Sequence, residues 1–224
     1  TQLEETGEGN SAAGKEFSKY FTVAHLLNLK PVLEKKGLDR LVADLSLSLL
    51  RYSDLVRIDK LYYEAGMNAR QQNETSTAFL LLNRYLDIYE AIEDPDNNNL
   101  EDNPDFAITD FPSPFGVPLP EKNLISEQEK QKISDWLVDI SMKHKKEHSF
   151  ETRTCEVCKN KIATCALTCP KCKTQSEPSV ITGQPVGKHE GIPCQHCQRP
   201  AIKEDWQEYL QNFANCPACD NLPN

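Results

Sequence analysis

The chain has 224 residues, enough for one or two domains. It carries 25 Lys and Arg against 34 Asp and Glu, a net charge of −9 that argues against a surface built to hold phosphates. No apolar run approaches the ~18 residues of a membrane span, and the polar start at Thr1 has no charged-then-apolar signal pattern, so the expectation is a fragment of a longer intracellular protein.

Residues 1–16 are polar and Gly-bearing and are expected to form a flexible start. From Phe17 to Glu93 apolar residues recur at spacings of three and four, as at Leu41, Leu45, Leu49 and Leu82, Leu86, Tyr89, which predicts helices. Breaks fall near Lys35-Lys36-Gly37, Ser53-Asp54 and Gln72-Asn73, so residues 17–93 read as antiparallel helix pairs with short turns. Leu55–Gln71 and Glu74–Ile92 form one tetratricopeptide-type hairpin, in which the small residues Ala65, Gly66 and Ala78 let two helices approach closely. Tyr62, Tyr63, Tyr85 and Tyr89 are expected as packing at the edge of the core rather than as a ligand site.

Residues 94–124 are an acidic, Pro-rich linker: the stretch 93–120 holds seven acidic residues, six prolines and no Lys or Arg. Phe106, Ile108, Phe111, Phe115 and Val117 along it are expected to pin this strap onto the helices. Ser126-Glu127-Gln128-Glu129 is a capping box opening a helix within 125–148, with Ile133, Trp136, Leu137 and Ile140 on its apolar face. Lys143, Lys145 and Lys146 suit the negative end of that helix.

All nine cysteines follow residue 154, and eight form Cys-x-x-Cys pairs: Cys155/Cys158, Cys169/Cys172, Cys194/Cys197 and Cys216/Cys219. One pair supplies two thiolates and a tetrahedral Zn²⁺ takes four, so four pairs predict two structural zinc sites. A disulfide framework is disfavoured by this spacing in an intracellular chain. Each tetrad would be filled by sulfur, whereas a catalytic zinc keeps an open position. Residues 150–224 hold eight basic and eight acidic side chains, which leaves no basic stripe for nucleic acid. Ten residues separate the first two pairs and 18 the last two; spacing alone allows sequential pairing or a RING-type cross-brace. The amphipathic helix predicted over Ala201–Phe213, with Ile202, Trp206 and Leu210 on one face, tilts the expectation to sequential pairing. Cys165 is left over as a buried thiol; His196 is expected to face solvent, and His25, His144, His148 and His189 form no ligand pattern.

The order Ile181-Thr182-Gly183, Pro185-Val186, amphipathic helix and Cys216-Pro217 resembles a U-box over about residues 178–222, with one zinc site retained where U-boxes normally have none. The first two pairs then form a separate zinc ribbon, 150–176. More broadly, Leu61-Tyr62-Tyr63-Glu64-Ala65-Gly66-Met67, Phe79-Leu80-Leu81-Leu82-Asn83-Arg84-Tyr85, Val117-Pro118-Leu119-Pro120, Asp135-Trp136-Leu137, Ile181-Thr182-Gly183-Gln184-Pro185 and Lys203-Glu204-Asp205-Trp206 occur in an order that resembles the C-terminal end of the largest peripheral subunits of intraflagellar transport complex B. The cysteines near the Ile-Thr-Gly motif depart from that family's pattern. The resemblance implies a mainly α fold: tetratricopeptide-like hairpins followed by a small zinc ribbon and a small α+β U-box/RING-like module. It implies a transport-train scaffold in the cilium or flagellum and basal body, with a cytoplasmic pool, contacting other complex B and possibly complex A subunits. It further implies a tail that engages ubiquitin or a ubiquitin-conjugating enzyme through Ile181, Trp206 and Pro217, by positioning rather than a covalent nucleophile; the alternative is a purely structural protein–protein interaction module with no ubiquitin role, in which Ile181 and Trp206 are core of a small domain. Ligase activity of this kind would be weak, because Asp220 and Asn221 stand where RING-type ligases often place an Arg.

Overall fold

A computed structural model describes residues 12–97, 100, 102–114, 116–143, 147–187 and 190–222. Residues 1–11, Phe115, His144, Lys145, Lys146 and His189, singled out above, lie outside the described residues. Six α-helices are described: α1 Ala12–Lys35, α2 Asp39–Leu49, α3 Ile58–Gln71, α4 Thr75–Glu93, α5 Glu127–Lys143 and α6 Lys203–Leu210. The described residues also form three two-stranded antiparallel ribbons: β1 Thr152–Thr154 with β2 Lys161–Ala163, β3 Glu177–Pro178 with β4 Pro185–Val186, and β5 Gly191–Pro193 with β6 Pro200–Ile202. The fold is thus mainly α. Helix α1 begins at Ala12, inside the stretch expected to be a flexible start, where the run Ala12-Ala13 favours a helix.

Consecutive helices pack on one another from α1 to α5. The breaks have local causes. Gly37 takes φ +69° after α1, and the Gly37 and Leu38 amides bond back to Glu34 O (3.0 Å) and Leu33 O (3.2 Å), the Schellman arrangement. Asn73, φ 62°, closes α3 the same way. Within the α3–α4 hairpin, a Cβ on Gly66 would stand 2.7 Å from Leu82 Cγ, so only glycine permits this helix separation. Leu41, Leu45, Leu49, Leu61, Leu81, Leu82 and Tyr85 fill the core between the helices. Tyr62 and Tyr89 are buried with them and Tyr63 packs at the edge.

The strap is pinned. Phe106, Ile108, Phe111 and Val117 pack on the core, and Phe106 meets Tyr62 and Phe150 edge-on at 6.0 and 5.4 Å. Ser126 and Glu129 form the reciprocal capping box that opens α5: Ser126 N donates to Glu129 Oε2 (3.1 Å) and Glu129 N to Ser126 Oγ (3.4 Å).

The β3–β4 loop is unusual because its six residues, Ser179 to Gln184, are all buried. A buried loop must find partners for its polar groups. Helix α2 and the short 3-10 turn that follows it, Leu50–Tyr52, supply them. Gln184 Nε2 donates to Asp44 O (2.8 Å) and Ser48 Oγ (3.0 Å), and Arg51 Nη1 donates to Gly183 O (3.1 Å). From α1, His25 Nε2 lies 2.7 Å from Val180 O; a carbonyl only accepts, so this nitrogen carries the proton. Gly183 has φ +70°, and a Cβ there would meet Ser48 Cβ at 3.0 Å, so the loop backbone seats against α2 with no room for a side chain.

Candidate metal centres

The four cysteine pairs fold into four copies of one turn. In each, the amide two residues past the x-x spacer's end—the residue after the second Cys—donates to the carbonyl of the first Cys: Lys159 to Cys155 (3.0 Å), Lys173 to Cys169 (2.9 Å), Gln198 to Cys194 (2.8 Å) and Asp220 to Cys216 (2.9 Å). The amide of each first Cys donates in turn to a carbonyl five residues on, at Asn160, Thr174, Arg199 and Asn221. The turn forces left-handed backbone on the residue after the second Cys, with φ of 60°, 61°, 59° and 58° at Lys159, Lys173, Gln198 and Asp220. None of these is a glycine, although a side chain in that region costs about 1–2 kcal/mol. The chain accepts that strain at four equivalent places, because this turn aims both sulfurs of a pair at one point.

The turns pair sequentially. Cys155, Cys158, Cys169 and Cys172 converge in one cluster, and Cys194, Cys197, Cys216 and Cys219 in the other, with all sulfurs of a set within 4.8 Å of one another. Cys155 and Cys172 stand 3.6 Å apart, Cys158 and Cys169 also 3.6 Å, Cys194 and Cys219 3.8 Å, and Cys197 and Cys216 3.9 Å. A disulfide needs about 2.05 Å. A tetrahedron of thiolates about 2.3 Å from a central ion has edges of about 3.8 Å, so the donor type, number and spacing fit such an ion. In both sets the first Cys of each pair is buried and the second half-buried. The Thr174 hydroxyl, 3.2 Å from Cys172 Sγ, is the main cause that holds that thiol down at about 6, and the Asn221 amide holds Cys219 at about 7. These outer groups favour the thiolate, the form that binds metal.

The two clusters differ in setting. Cys155 and Cys169 form a small satellite core with Ile162, whereas Cys194 and Cys216 belong to the main core of the molecule. Cys165 joins neither cluster; burial pushes its thiol up to about 12, which makes it inert. His196 is exposed and outside both sets.

Ile181, Trp206 and Pro217 do not make an open groove. Ile181 is fully buried at the tip of the β3–β4 loop, Trp206 is nearly so and lies parallel to Tyr209 with centroids 6.2 Å apart, and Pro217 alone is partly exposed. The loop tip that would face a partner faces the chain's own helices instead. Thr182 Oγ1 donates to Asp205 Oδ2 at the start of α6 (2.8 Å), and Arg40 of α2 bridges Asp205 (2.9 Å) and Glu208 (2.7 Å).

Sequence reasoning missed the residue that ties these parts together. Arg51 is buried, and its guanidinium donates to Ser48 O (3.2 Å), Gly183 O (3.1 Å), Asp110 Oδ1 (3.2 Å) and, in a short contact, Cys165 O. Asp110 Oδ2 accepts from Thr168 N (2.9 Å). One side chain therefore joins the helices, the strap, the first cysteine-rich segment and the β3–β4 loop. A lone Arg in a helical stretch carries no local signal of such a role. The only hint is a polar stripe, Arg40, Asp44, Ser48 and Arg51, at spacings of four, four and three.

No family model matches the chain. Individual proteins do. The human intraflagellar transport protein 172 homolog is 31% identical over 226 residues and covers 98% of this chain; the zebrafish (Danio rerio) homolog is 32% identical over 228 residues with the same coverage. The Chlamydomonas reinhardtii protein is 29% identical over 205 residues, 90% of the chain. The chain is a homologue of intraflagellar transport protein 172. It spans only 12% of the length of these relatives, which is consistent with the C-terminal region that its motif order resembles. The similarity runs through helices and cysteine-rich segments alike, so the homology to intraflagellar transport protein 172 covers both parts of the fold. No helix among the described residues is long and apolar enough to cross a membrane.

Proposed function

We propose that this chain is a scaffold piece of the intraflagellar transport train in the cilium. Its tail carries two structural Zn²⁺ ions and is clasped, as a rigid interaction module, to the end of a stack of tetratricopeptide-like helix pairs. Homology supports the transport role, and two complete sets of four thiols at tetrahedral spacing support the zinc. The cysteines of 155–172 would hold one ion in the ribbon, and those of 194–219 the other beside α6. Binding would supply much of the tail's folding energy, on the order of 10 kcal/mol per site in small peptides. With four sulfurs per ion no position is left for substrate, so the metal's part is structural.

The observation that carries the interaction-module reading is the burial of Ser179 to Gln184 against α1 and α2. A docking loop for ubiquitin or a ubiquitin-conjugating enzyme must offer its apolar tip to solvent. Here Ile181 is spent on internal packing, and the partners this module serves are other subunits of the train.

Metal analysis and a titration test both parts. The purified protein is expected to hold two zinc ions per chain, the satellite site releasing first to a chelator; fewer than one zinc per chain sinks the metal assignment. Titration with ubiquitin and with a conjugating enzyme is expected to show no binding at high micromolar concentration. Binding that Ile181→Ala abolishes, with zinc content and melting preserved, would restore the U-box-like reading instead.

A further inference from the structure

Charge is spread unevenly over this acidic chain. Residues 150–176 hold five basic side chains against two acidic ones, whereas residues 177–224 hold three against six. Lys159, Lys161, Lys171 and Lys173 are all exposed. They gather at the first cysteine cluster: Lys159 and Lys173 close its two turns, and Lys171 Nζ donates to Asn160 Oδ1 (3.1 Å), which sits between Lys159 and Lys161 in the chain. Lysines elsewhere are matched, since Lys19, Lys30, Lys60, Lys130 and Lys143 each pair with a carboxylate. Among the described residues none of the four at the cluster does. A four-sulfur site does not require such a fence. Across its two turns the first cluster carries Lys159, Lys171 and Lys173 against Glu156, while the second carries Arg199 against Asp220. Beside the lysines a cavity of about 460 Å³ opens between the turn at Pro170 and the strap. Phe111, Leu167 and Pro170 give it an apolar wall. The rest of its lining is rich in unused donors. The Lys173 ammonium, the Gln175 amide and the Tyr52 hydroxyl have no partner among the described residues. Arg51, 8% exposed, uses four of its five N–H bonds on Asp110, Ser48, Gly183 and Cys165 and keeps one on Nη2. The Asp110 carboxylate in the lining is already engaged by Arg51 and the Thr168 amide.

We infer that this face and cavity bind an acidic peptide segment of a partner protein. One glutamate or aspartate side chain enters the cavity, its methylenes against Phe111 and Pro170 and its carboxylate on the free donors. Flanking carboxylates lie on Lys171, Lys159 and Lys161. Hydrogen bonds from cations to carboxylates are the strong kind, and the buried guanidinium strengthens the one inside the cavity. The cavity selects a peptide. Its volume falls in the range of pockets that enclose small groups, so a side chain enters it, whereas a bilayer surface or a nucleic-acid backbone is too broad to do so. Net charge selects as well. The chain carries −9, so an extended polyanion lying across the molecule meets more repulsion than attraction. A segment of a few residues feels only the lysines within about a Debye length, ~8 Å at physiological salt. The inference rests on the interaction-module reading and deepens it by naming the chemistry of a partner.

Fluorescence anisotropy of a fluorescein-labelled octaglutamate peptide, titrated with the 224-residue chain, tests it. Octaglutamate should bind and octaglutamine should not, and affinity should fall roughly tenfold between 50 and 300 mM salt. The double variant Lys171→Gln, Lys173→Gln should bind roughly tenfold more weakly. Its fold should survive, because Gln198 already occupies the turn position equivalent to Lys173. Lys35→Gln, Lys132→Gln removes the same charge at exposed sites elsewhere and should change binding less than twofold. Tyr52→Phe removes one cavity hydroxyl, keeps the ring, and should weaken binding roughly threefold. Zinc content is measured on the same samples. A chain without zinc sinks the metal assignment by that measurement alone, and octaglutamate binding still decides the face. No binding of octaglutamate overturns the inference. So does an equal loss in the Lys35, Lys132 variant, which would make the attraction a general effect of charge. Binding that Tyr52→Phe and the Lys171, Lys173 variant both leave unchanged overturns it as well. Tighter binding to phosphatidylserine vesicles or to a 20-base-pair RNA duplex than to octaglutamate, lost in the Lys171, Lys173 variant, would overturn it in favour of a membrane or a nucleic acid.

Discussion

Replacing Arg51 by Met removes one guanidinium and tests whether the tail is held by it. Met keeps most of the aliphatic volume, so the cavity term is small and the loss is electrostatic. Three carbonyls, of Ser48, Gly183 and Cys165, lose a charged donor, and the Asp110 carboxylate loses its ion-pair partner at 3.2 Å. Asp110 keeps the Thr168 amide, which limits the damage. Removing one member of a buried pair costs about 3–5 kcal/mol, and the added orphan acceptors place this site toward the upper half of that range. The loss falls on the seam between helices and tail rather than on either part. Denaturant unfolding should therefore split in two. Trp206 fluorescence, read in a Trp136→Phe background, should report the tail releasing at lower denaturant than the helical circular dichroism. Zinc held as proposed should stay bound through the first transition, because each cysteine turn is closed by its own backbone bonds. Arg51→Lys keeps the charge but not the planar fork and should fall between the two. Adding Asp110→Asn to Arg51→Met should cost less than the sum of the singles, since it removes the stranded charge. Coincident transitions and a loss below about 1 kcal/mol would refute the clasp.

Two further substitutions probe other seams. Gly66→Ala places a methyl group 2.7 Å from Leu82 Cγ; overpacking of about 1–3 kcal/mol outweighs the ~1 kcal/mol gain in helix propensity, so the urea midpoint should fall with the m-value unchanged. Asp44 is raised to about 7, chiefly by burial and then by the Asp205 carboxylate, with Arg40 opposing. A pKa raised on folding means a stabilising contribution that is complete below the unfolded value near 3.8 and disappears as pH rises through about 7. Asp44→Asn removes that dependence while keeping an acceptor for Arg40, so it should melt higher than the parent at pH 8 and gain nothing at pH 4.

Much of this molecule is legible in its sequence because the signals are local. Cys-x-x-Cys spacing, the Gly37 and Asn73 helix ends, the Ser126–Glu129 capping box and the small residue at Gly66 each report a geometry set within a few residues. Sequential pairing of the cysteines is less local, and the sequence left it open; the structure resolves it by placing each set around one ribbon and its neighbouring turn. Ile181 shows where such reading stops. An apolar residue in an Ile-Thr-Gly loop reads the same whether it faces solvent or a helix. Its burial depends on Arg51, 132 residues from Gly183, and on Gln184 reaching Ser48 across 136 residues. Neither partner has a sequence signature. The left-handed residues Lys159, Lys173, Gln198 and Asp220 were equally silent, because glycine is the usual sign of that backbone and none is present.

The seam itself says why a scaffold would be built this way. Arg40, Asp44, Ser48 and Arg51 form one polar stripe on α2 and the turn after it, while Leu41, Leu45 and Leu49 face the helical core. Together they meet three tail groups: Arg40 pairs with Asp205 and Glu208, the Asp44 carbonyl and the Ser48 hydroxyl share the Gln184 amide, and Arg51 donates to the Gly183 and Cys165 carbonyls. An apolar seam of equal size could slide by a turn of helix and still bury its area. A seam of paired polar groups cannot, since a one-turn slip of about 5.4 Å would leave every buried donor and acceptor unmatched, at about 1–3 kcal/mol each. Buried polar contacts of this kind add little net stability over apolar ones but select one register. The tail is therefore fixed in direction as well as attached. On the proposed scaffold role, direction is the property that matters, and ions held in the two cysteine clusters would extend it by making the presented surface itself rigid.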